Sequence, residues 1–157
     1  MDFEKRRPVL PATSLIRTFL VNSFQYPAPA TEWTPTVYGA YLAASLSAKK
    51  CWIPLNFLKI GDIITAYRLV GDAIEVAALT LDCKLVRVNK ADQLTTTDIT
   101  SGAITQITVN GNFDSAANPT DETVATDKQY LLELLGTTGV GDSIYVIGAE
   151  IIITRLV

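Results

Sequence analysis

Histidine is absent from this 157-residue chain, and its absence limits the chemistry that the chain can perform. Histidine is the usual proton shuttle near neutral pH and a common metal ligand. Without it, Ser–His and Cys–His catalysis and a His-ligated zinc site are excluded. The two cysteines, Cys51 and Cys83, form no C-x-x-C pair. We interpret them as buried free thiols, with a disulfide between them as the alternative.

The sixteen carboxylates are the other candidates for chemistry, because a pair of carboxylates can hydrolyse a glycosidic bond. Nearly all of them lie in segments that read as turns, where Asp commonly bonds its own backbone. The run from Asn110 to Asp114 loosely fits an oxygen-rich calcium loop but lacks the EF-hand ligand spacing. No phosphate-binding, dinucleotide-binding or nucleophile-elbow motif occurs. The sequence therefore predicts no catalytic residue, no metal site and no cofactor.

The two tryptophans offer a further kind of site, since exposed aromatic rings stack on sugars. Trp52 lies in the run C-W-I-P-L, and a position in the core is the favoured interpretation over a sugar-binding one.

The composition predicts a folded protein with a hydrophobic core. Hydrophobic residues make up 48% of the chain and charged residues 18%, which excludes the composition of a disordered chain. No leader-like apolar run and no span of about twenty apolar residues is visible, so we expect no membrane association. The body is acidic, and a basic stripe with interleaved aromatics is missing, so nucleic-acid binding is not expected.

The sequence predicts an extended N-terminal arm over residues 1–36 and a folded domain over residues 37–157. Five of the seven prolines fall at positions 8, 11, 27, 29 and 35, and proline favours extended backbone. The first 50 residues carry six basic and three acidic side chains, whereas the remainder carries seven and thirteen. A basic arm on an acidic body indicates contact with an acidic partner surface; a solvated Lys5-Arg6-Arg7 terminus is the alternative. The stretch 13–24 is predicted as a short helix or a strand, and the apolar residues of the arm are expected to bury against the chain's own body, a neighbouring subunit or a host surface.

From about Thr36 onward, short apolar runs alternate with Gly, Asn and Asp turns. The best period-two alternation runs through Leu79, Leu81, Cys83 and Leu85, which is typical of a half-buried antiparallel strand. Pro54 is expected at a strand end or sheet edge, and Gly148 is expected to bend the last strand. We predict strands over 37–46, 51–55, 63–70, 74–88, 103–109 and 143–157, a strand or short helix over 129–135, and loops over 89–101 and 114–128.

Seven or eight such strands predict an all-β fold, an antiparallel β-sandwich or jelly roll with an extended N-terminal arm. The absence of a βαβ alternation argues against a parallel sheet. Two segments share one pattern: Ile60-Gly61-Asp62 and Val140-Gly141-Asp142 each precede an isoleucine-containing strand. We expect them to share turn chemistry, with glycine at positive φ.

The body resembles the small β-sandwich virion proteins of tailed bacteriophages and prophages. The resemblance covers about 100 residues and lies in the runs W-I-P-L-N-F-L-K-I-G-D (52–62), I-T-A-Y-R-L-V-G-D (64–72), T-L-D-C-K-L-V-R-V-N-K-A-D (80–92), G-A-I-T-Q-I-T-V-N-G-N-F-D (102–114), E-T-V-A-T-D-K-Q-Y-L-L-E-L-L-G-T (122–137) and G-D-S-I-Y-V-I-G-A-E (141–150).

Such proteins look like head-decoration (cement) or tail-associated components and are often trimeric. The resemblance implies a non-enzymatic protein made in the host cytoplasm and placed on the outer surface of the head. Its partners would be its own copies, as a homotrimer, and the major capsid protein or another virion protein. A receptor- or glycan-binding tail or fibre component is the alternative. On this hypothesis the arm supplies the partner-binding residues, because aromatics and arginine dominate interfaces: Phe3, Arg6, Arg7, Arg17, Phe19, Phe24, Tyr26 and Trp33.

Overall fold

A computed structural model describes residues 13–21, 24–26, 32–99 and 103–156, and every regular element in them is a β-strand. No helix in these ranges is long and apolar enough to cross a membrane. The described strands are β1 (Thr13–Val21), β2 (Trp33–Thr36), β3 (Gly39–Leu42), β4 (Lys49–Pro54), β5 (Ile63–Ile74), β6 (Leu79–Asn89), β7 (Asp92–Asp98), β8 (Gly111–Ala117), β9 (Glu122–Thr123), β10 (Lys128–Thr138) and β11 (Ser143–Leu156).

The strands form two antiparallel sheets that pack as a β-sandwich, which confirms the predicted fold class. Sheet A has the order β2-β3-β11-β5-β8, with β1 paired to β11 and β9 paired to β5. Sheet B has the order β4-β10-β6-β7. The connectivity becomes clear when the eight main strands are renumbered from one to eight in chain order, leaving out β1, β2 and β9. Sheet A then reads 1-8-3-6 from β3 to β8, and sheet B reads 2-7-4-5 from β4 to β7. This is the strand order of a jelly roll.

The core lies between the two sheets and follows the period-two pattern of the long strands. In β11, buried residues such as Ile144, Val146, Ile151 and Ile153 alternate with half-buried ones. The predicted alternation in β6 is confirmed, because Leu79, Leu81, Cys83 and Leu85 are all buried. One face of each strand is therefore removed from water, and this burial stabilises the sandwich.

The predicted boundary between an arm and a domain at residues 36 and 37 is wrong for the described part of 1–36. Strand β1 pairs with β11 from Thr13↔Leu156 to Val21↔Gly148. Strand β2 pairs with β3, and Gln25 exchanges two backbone hydrogen bonds with Trp52 at the edge of sheet B. Prolines indicated extended backbone correctly, but this backbone adds strands to the sandwich because its apolar side chains need the same core.

Several predicted turns and loops are strands. Strand β5 continues through Gly71 and Asp72, because Gly71 lets the Phe113 ring and the Tyr145 carbonyl approach the backbone where a Cβ would collide with both. The predicted loops 89–101 and 114–128 contain β7 and β9 and the end of β8. Conversely, the predicted strand 103–109 makes an isolated bridge between Ile107 and Leu81. Polar composition misled the prediction at these places, because edge strands tolerate polar residues on both faces.

Other details agree with the sequence. The ambiguous stretch 129–135 lies within strand β10, Pro54 is the last residue of β4, and the pairing of β11 with β5 shifts register between Val146 and Gly148. Cys51 and Cys83 are buried free thiols. They cannot form a disulfide, because Cys51 on β4 and Cys83 on β6 both pair with Leu134 of β10, which lies between them. Their Cα atoms are therefore separated by two strand spacings, about 9.6 Å.

The two Gly-Asp segments form the same turn, as predicted. Gly61 and Gly141 have φ of 87° and 85°, in the left-handed region that favours glycine. In each turn the Asp side chain accepts a hydrogen bond from the backbone N–H three residues earlier: Lys59 N–H to Asp62 at 2.8 Å, and Gly139 N–H to Asp142 at 2.7 Å. The residue before each glycine is exposed.

Candidate interaction surfaces

Four exposed aliphatic side chains lie at one end of the sandwich, on or next to three loops, and we call this group the apolar loop end. Ile74 is the last residue of β5 and Val76 lies in the loop after it, Val140 lies between β10 and β11, and Val109 precedes β8. Their exposed fractions are 51%, 71%, 76% and 64%. Val76 lies against Gly141, which places Val76 and Val140 side by side. Exposed apolar residues that adjoin one another, as Val76 and Val140 do, are typical of surfaces that contact a partner.

Asp142 holds two of these loops together. Its buried carboxylate accepts hydrogen bonds from the backbone N–H groups of Val76 (2.6 Å), Ala77 (2.8 Å) and Ala78 (3.1 Å), besides that of Gly139. These donors stabilise the charged form and lower the pKa of Asp142 to about 2. The third loop is attached through Asn110, whose Oδ1 accepts from the N–H of Glu75 at 3.1 Å. The apolar loop end is therefore presented on a fixed framework.

A second apolar surface lies on the outer face of β1. Leu15, Arg17 and Phe19 point outward, and we call these three residues the β1 strip. Leu15 is 62% exposed and Phe19 is 44% exposed. The alternate residues Ile16 and Leu20 pack against the core. A guanidinium nitrogen of Arg17 lies 3.9 Å from Glu150, which also meets Arg68 at 3.3 Å, so Arg17 is only loosely held.

The structure describes five of the eight predicted partner-binding residues and places them in three environments, of which the core position of Trp33 is the third. Arg17 and Phe19 are on the exposed β1 strip. Phe24 and Tyr26 are half-buried against the core, their ring centroids are 6.4 Å apart, and burial raises the pKa of Tyr26 to about 12. Phe3, Arg6 and Arg7 lie outside the described residues.

Trp33 corrects the prediction most clearly, because it is fully buried and cannot contact a partner. Its Nε1 donates a hydrogen bond to the carbonyl oxygen of Lys49 at 2.9 Å, and its ring fills the core between the sheets. Trp52, predicted to be a core residue, is instead half-buried on the outer face of sheet B. Neither tryptophan lies where the sequence predicts, because the alternation of their strands points Trp33 inward and Trp52 outward.

Trp52 belongs to a polar network on the outer face of sheet B. Its Nε1 donates to Glu133 at 3.2 Å, and Glu133 also meets Lys50 at 3.2 Å and Lys84 at 3.5 Å. Glu133 is 7% exposed and is held by cations on both neighbouring strands. This carboxylate therefore has structural partners.

The other buried carboxylate, Asp62, is bound by Arg155. Arg155 Nε donates to Asp62 Oδ1 at 2.7 Å and Nη2 donates to Oδ2 at 2.6 Å, which holds the pKa of Asp62 below its usual range. This pair lines an open cleft of about 250 Å³ near the end of β11. Within the ranges that the structure covers, no three Cys, Asp or Glu side chains are grouped so that they could hold a metal ion.

Sequence reasoning missed the apolar loop end. The signal was present as valines directly beside turn residues, in V-G-D (140–142) and V-N-G (109–111), where an exposed aliphatic residue is unexpected. The sequence places Val109 at the end of a predicted strand and Val140 within a predicted turn, and it does not show which loops lie at the same end of the fold.

Comparisons with known proteins give little further information. No protein-family model and no curated protein matches the chain. Among solved structures, the chain is similar to a crystal structure of the CBM22-1 and GH10 modules of an endo-1,4-beta-D-xylanase 10B from Clostridium thermocellum, complexed with xylohexaose. The identity is 12% and the TM-score is 0.48, over 90% of this chain and 24% of that chain. The chain thus spans about a quarter of the length of that structure.

Proposed function

We propose that this protein is a non-enzymatic structural component of a virion, a capsid cement or decoration protein that binds the shell of the major capsid protein and stabilises the head. The resemblance of the body to phage β-sandwich proteins supports the virion context. The observation that carries the docking role is the apolar loop end, with its four exposed aliphatic side chains on three connected loops.

The framework beneath the apolar loop end suits a docking role. A rigid surface loses little conformational freedom when it binds, so more of the contact energy appears as affinity. Asp142 and Asn110 supply this rigidity through hydrogen bonds between loops. Burying an aliphatic side chain against a partner contributes roughly 1.5–3 kcal/mol when the burial is complete.

The carboxylates support a structural role for the sandwich. Asp62, Glu133 and Asp142 are buried, and each is engaged by an arginine, by two lysines and an indole, or by backbone N–H groups. A general acid or base needs a pKa near the working pH, whereas the pKa values of Asp62 and Asp142 are lowered.

Cosedimentation with capsid shells tests the proposal. The purified protein is mixed with shells assembled from the major capsid protein of the same phage genome, and the bound fraction is measured after centrifugation. We expect binding by the wild type and a rise in Kd of about tenfold or more for Val140→Asp, because a charge then replaces a buried aliphatic contact.

Ile60→Asp is the matched control. Ile60 occupies the same position in the sister turn, is 68% exposed, and lies at the opposite end of the sandwich because β5 and β11 are antiparallel. Circular dichroism establishes that both variants are folded. Equal loss of binding by both variants, or no binding by the wild type, contradicts docking through the apolar loop end.

Trp52 favours a second candidate function, a tail or fibre component that binds a receptor glycan. Its indole is half-buried on an outer sheet face, and the partly exposed side chains of Lys50 and Lys84 share its partner Glu133, so the face provides a ring for stacking and donors for sugar hydroxyls. Retention on a glycan array that disappears in Trp52→Ala but persists in Val140→Asp would select this function over capsid docking.

A further inference from the structure

Strand β1 is an edge strand that lacks the usual features that prevent pairing with another chain. Among the described residues it pairs with β11 alone. Its nine residues, TSLIRTFLV, contain no proline and no glycine, and Arg17 is their one charge. Natural proteins usually blunt an exposed edge with charges, prolines or bulges, because an open edge is a template for pairing with another chain. The β1 edge carries almost none of these defences and exposes Leu15 and Phe19 beside it.

The direction of the backbone shows which residues can pair at this edge. A Cβ added at Gly148 would collide with the carbonyl oxygen of Leu20, so the backbone oxygen of Leu20 points toward β11. Backbone groups alternate in direction along a strand. The N–H and C=O groups of Arg17 and Phe19, which are odd-numbered, therefore face the open edge.

We propose that two copies of the chain pair through β1, antiparallel and in a register centred on Thr18, so that sheet A continues from one copy into the other. In this register Arg17 of one copy lies opposite Phe19 of the other, twice by symmetry. Ile16 lies opposite Leu20 on the inner face. The interaction is independent of the capsid docking proposed above, because it uses the side of the sandwich and not its loop end.

Charge selects this register over the next one. A register centred on Arg17 would pair more residues but would place the two Arg17 side chains directly opposite each other, and like charges in such a pair are destabilising. The register centred on Thr18 replaces this repulsion with two contacts between a guanidinium and an aromatic ring, which attract. Arg17 can turn to make the contact, because its side chain is 61% exposed and its distance to Glu150 is 3.9 Å.

Register-specific cross-linking tests the inference with the full chain. An Arg17→Cys variant and a Phe19→Cys variant, distinguished by mass tags, are mixed and oxidised. In a mixed dimer the two introduced thiols lie directly opposite each other at a Cα separation of about 5.5 Å, which suits a disulfide. Each mixed dimer also keeps one native pair of Arg17 with Phe19. The native cysteines are buried and should not interfere.

We expect the mixed disulfide to exceed either homodisulfide severalfold, and light scattering of the wild type to show a concentration-dependent dimer. Phe19→Lys should raise the dimer dissociation constant about tenfold or more, because it places a like charge opposite Arg17, whereas Ile60→Lys should leave the constant unchanged. A monomer at all concentrations overturns the inference. So does a trimer, which an isologous two-fold contact cannot form. A dominant homodisulfide of the Arg17→Cys variant overturns the register.

Discussion

Arg155 near the end of the last strand binds Asp62 in the turn before β5 through two hydrogen bonds, at 2.7 and 2.6 Å. Asp62 is 1% exposed, and it also accepts the Lys59 N–H that closes its own turn. One carboxylate therefore joins the start of β5 to the end of β11, two strands that pair along most of their length.

Asp62→Ala should lower the free energy of unfolding by about 3 kcal/mol, because it leaves part of a buried ion pair without its partner. Urea denaturation followed by circular dichroism measures this. Asp114→Ala is the control, since Asp114 pairs with Arg68 at an exposed site, and an exposed pair contributes about 1 kcal/mol or less. Equal effects of the two substitutions would show that Asp62 does not join the strands.

Acid should destabilise the protein through Asp142. Its pKa is about 2 in the folded state, below the value of about 3.9 of an unfolded Asp, so its contribution to stability is complete above about pH 4 and is lost as the pH falls toward 2. When the melting temperature is measured from pH 7 to pH 2, it should decrease between about pH 4 and pH 2. Asp142→Asn should melt lower at pH 7 and show a flatter fall, whereas Asp121→Asn, at an exposed loop carboxylate, should behave like the wild type.

Deletion of residues 1–36 should prevent folding. It removes Trp33 from the core and removes β1, whose Ile16 and Leu20 pack against that core. Loss of a buried tryptophan side chain alone costs about 3–5 kcal/mol. Circular dichroism and light scattering should show an unfolded or aggregated product. Deletion of residues 1–12 is the control and should leave the sandwich folded; a folded 37–157 fragment would restore the division into arm and domain.

The two thiols should be inert in the native protein. Cys51 and Cys83 are buried, and burial raises the pKa of both above its ordinary value, so little reactive thiolate is present. Labelling with a thiol-specific dye should be on the order of a hundredfold slower in buffer than in guanidinium chloride, since it requires opening of the core. The exposed thiol introduced by Phe19→Cys should react at once in the same buffer. Rapid native labelling of two thiols in the wild type would contradict the packing.

Much of the sandwich could be predicted from the sequence, because interactions between residues close together in the chain determine it. The period-two alternation of β6, the proline at the end of β4 and the paired turns at Gly61 and Gly141 depend on residues near one another in the chain. Errors arose where a distant residue decides the outcome. Gly71 reads as a turn until Phe113 packs on it, and Trp33 reads as a partner anchor until β2 pairs with β3.

By itself, the sequence determined the class of fold, the absence of histidine chemistry and the local turns, because each follows from residue type and spacing. The tertiary structure alone decided that β1 and β2 belong to the sandwich, that Trp33 rather than Trp52 fills the core, and that Val76, Val109 and Val140 lie at the same end of the sandwich. These facts depend on contacts between segments far apart in the chain, and no local pattern encodes which loops or sheet edges come together.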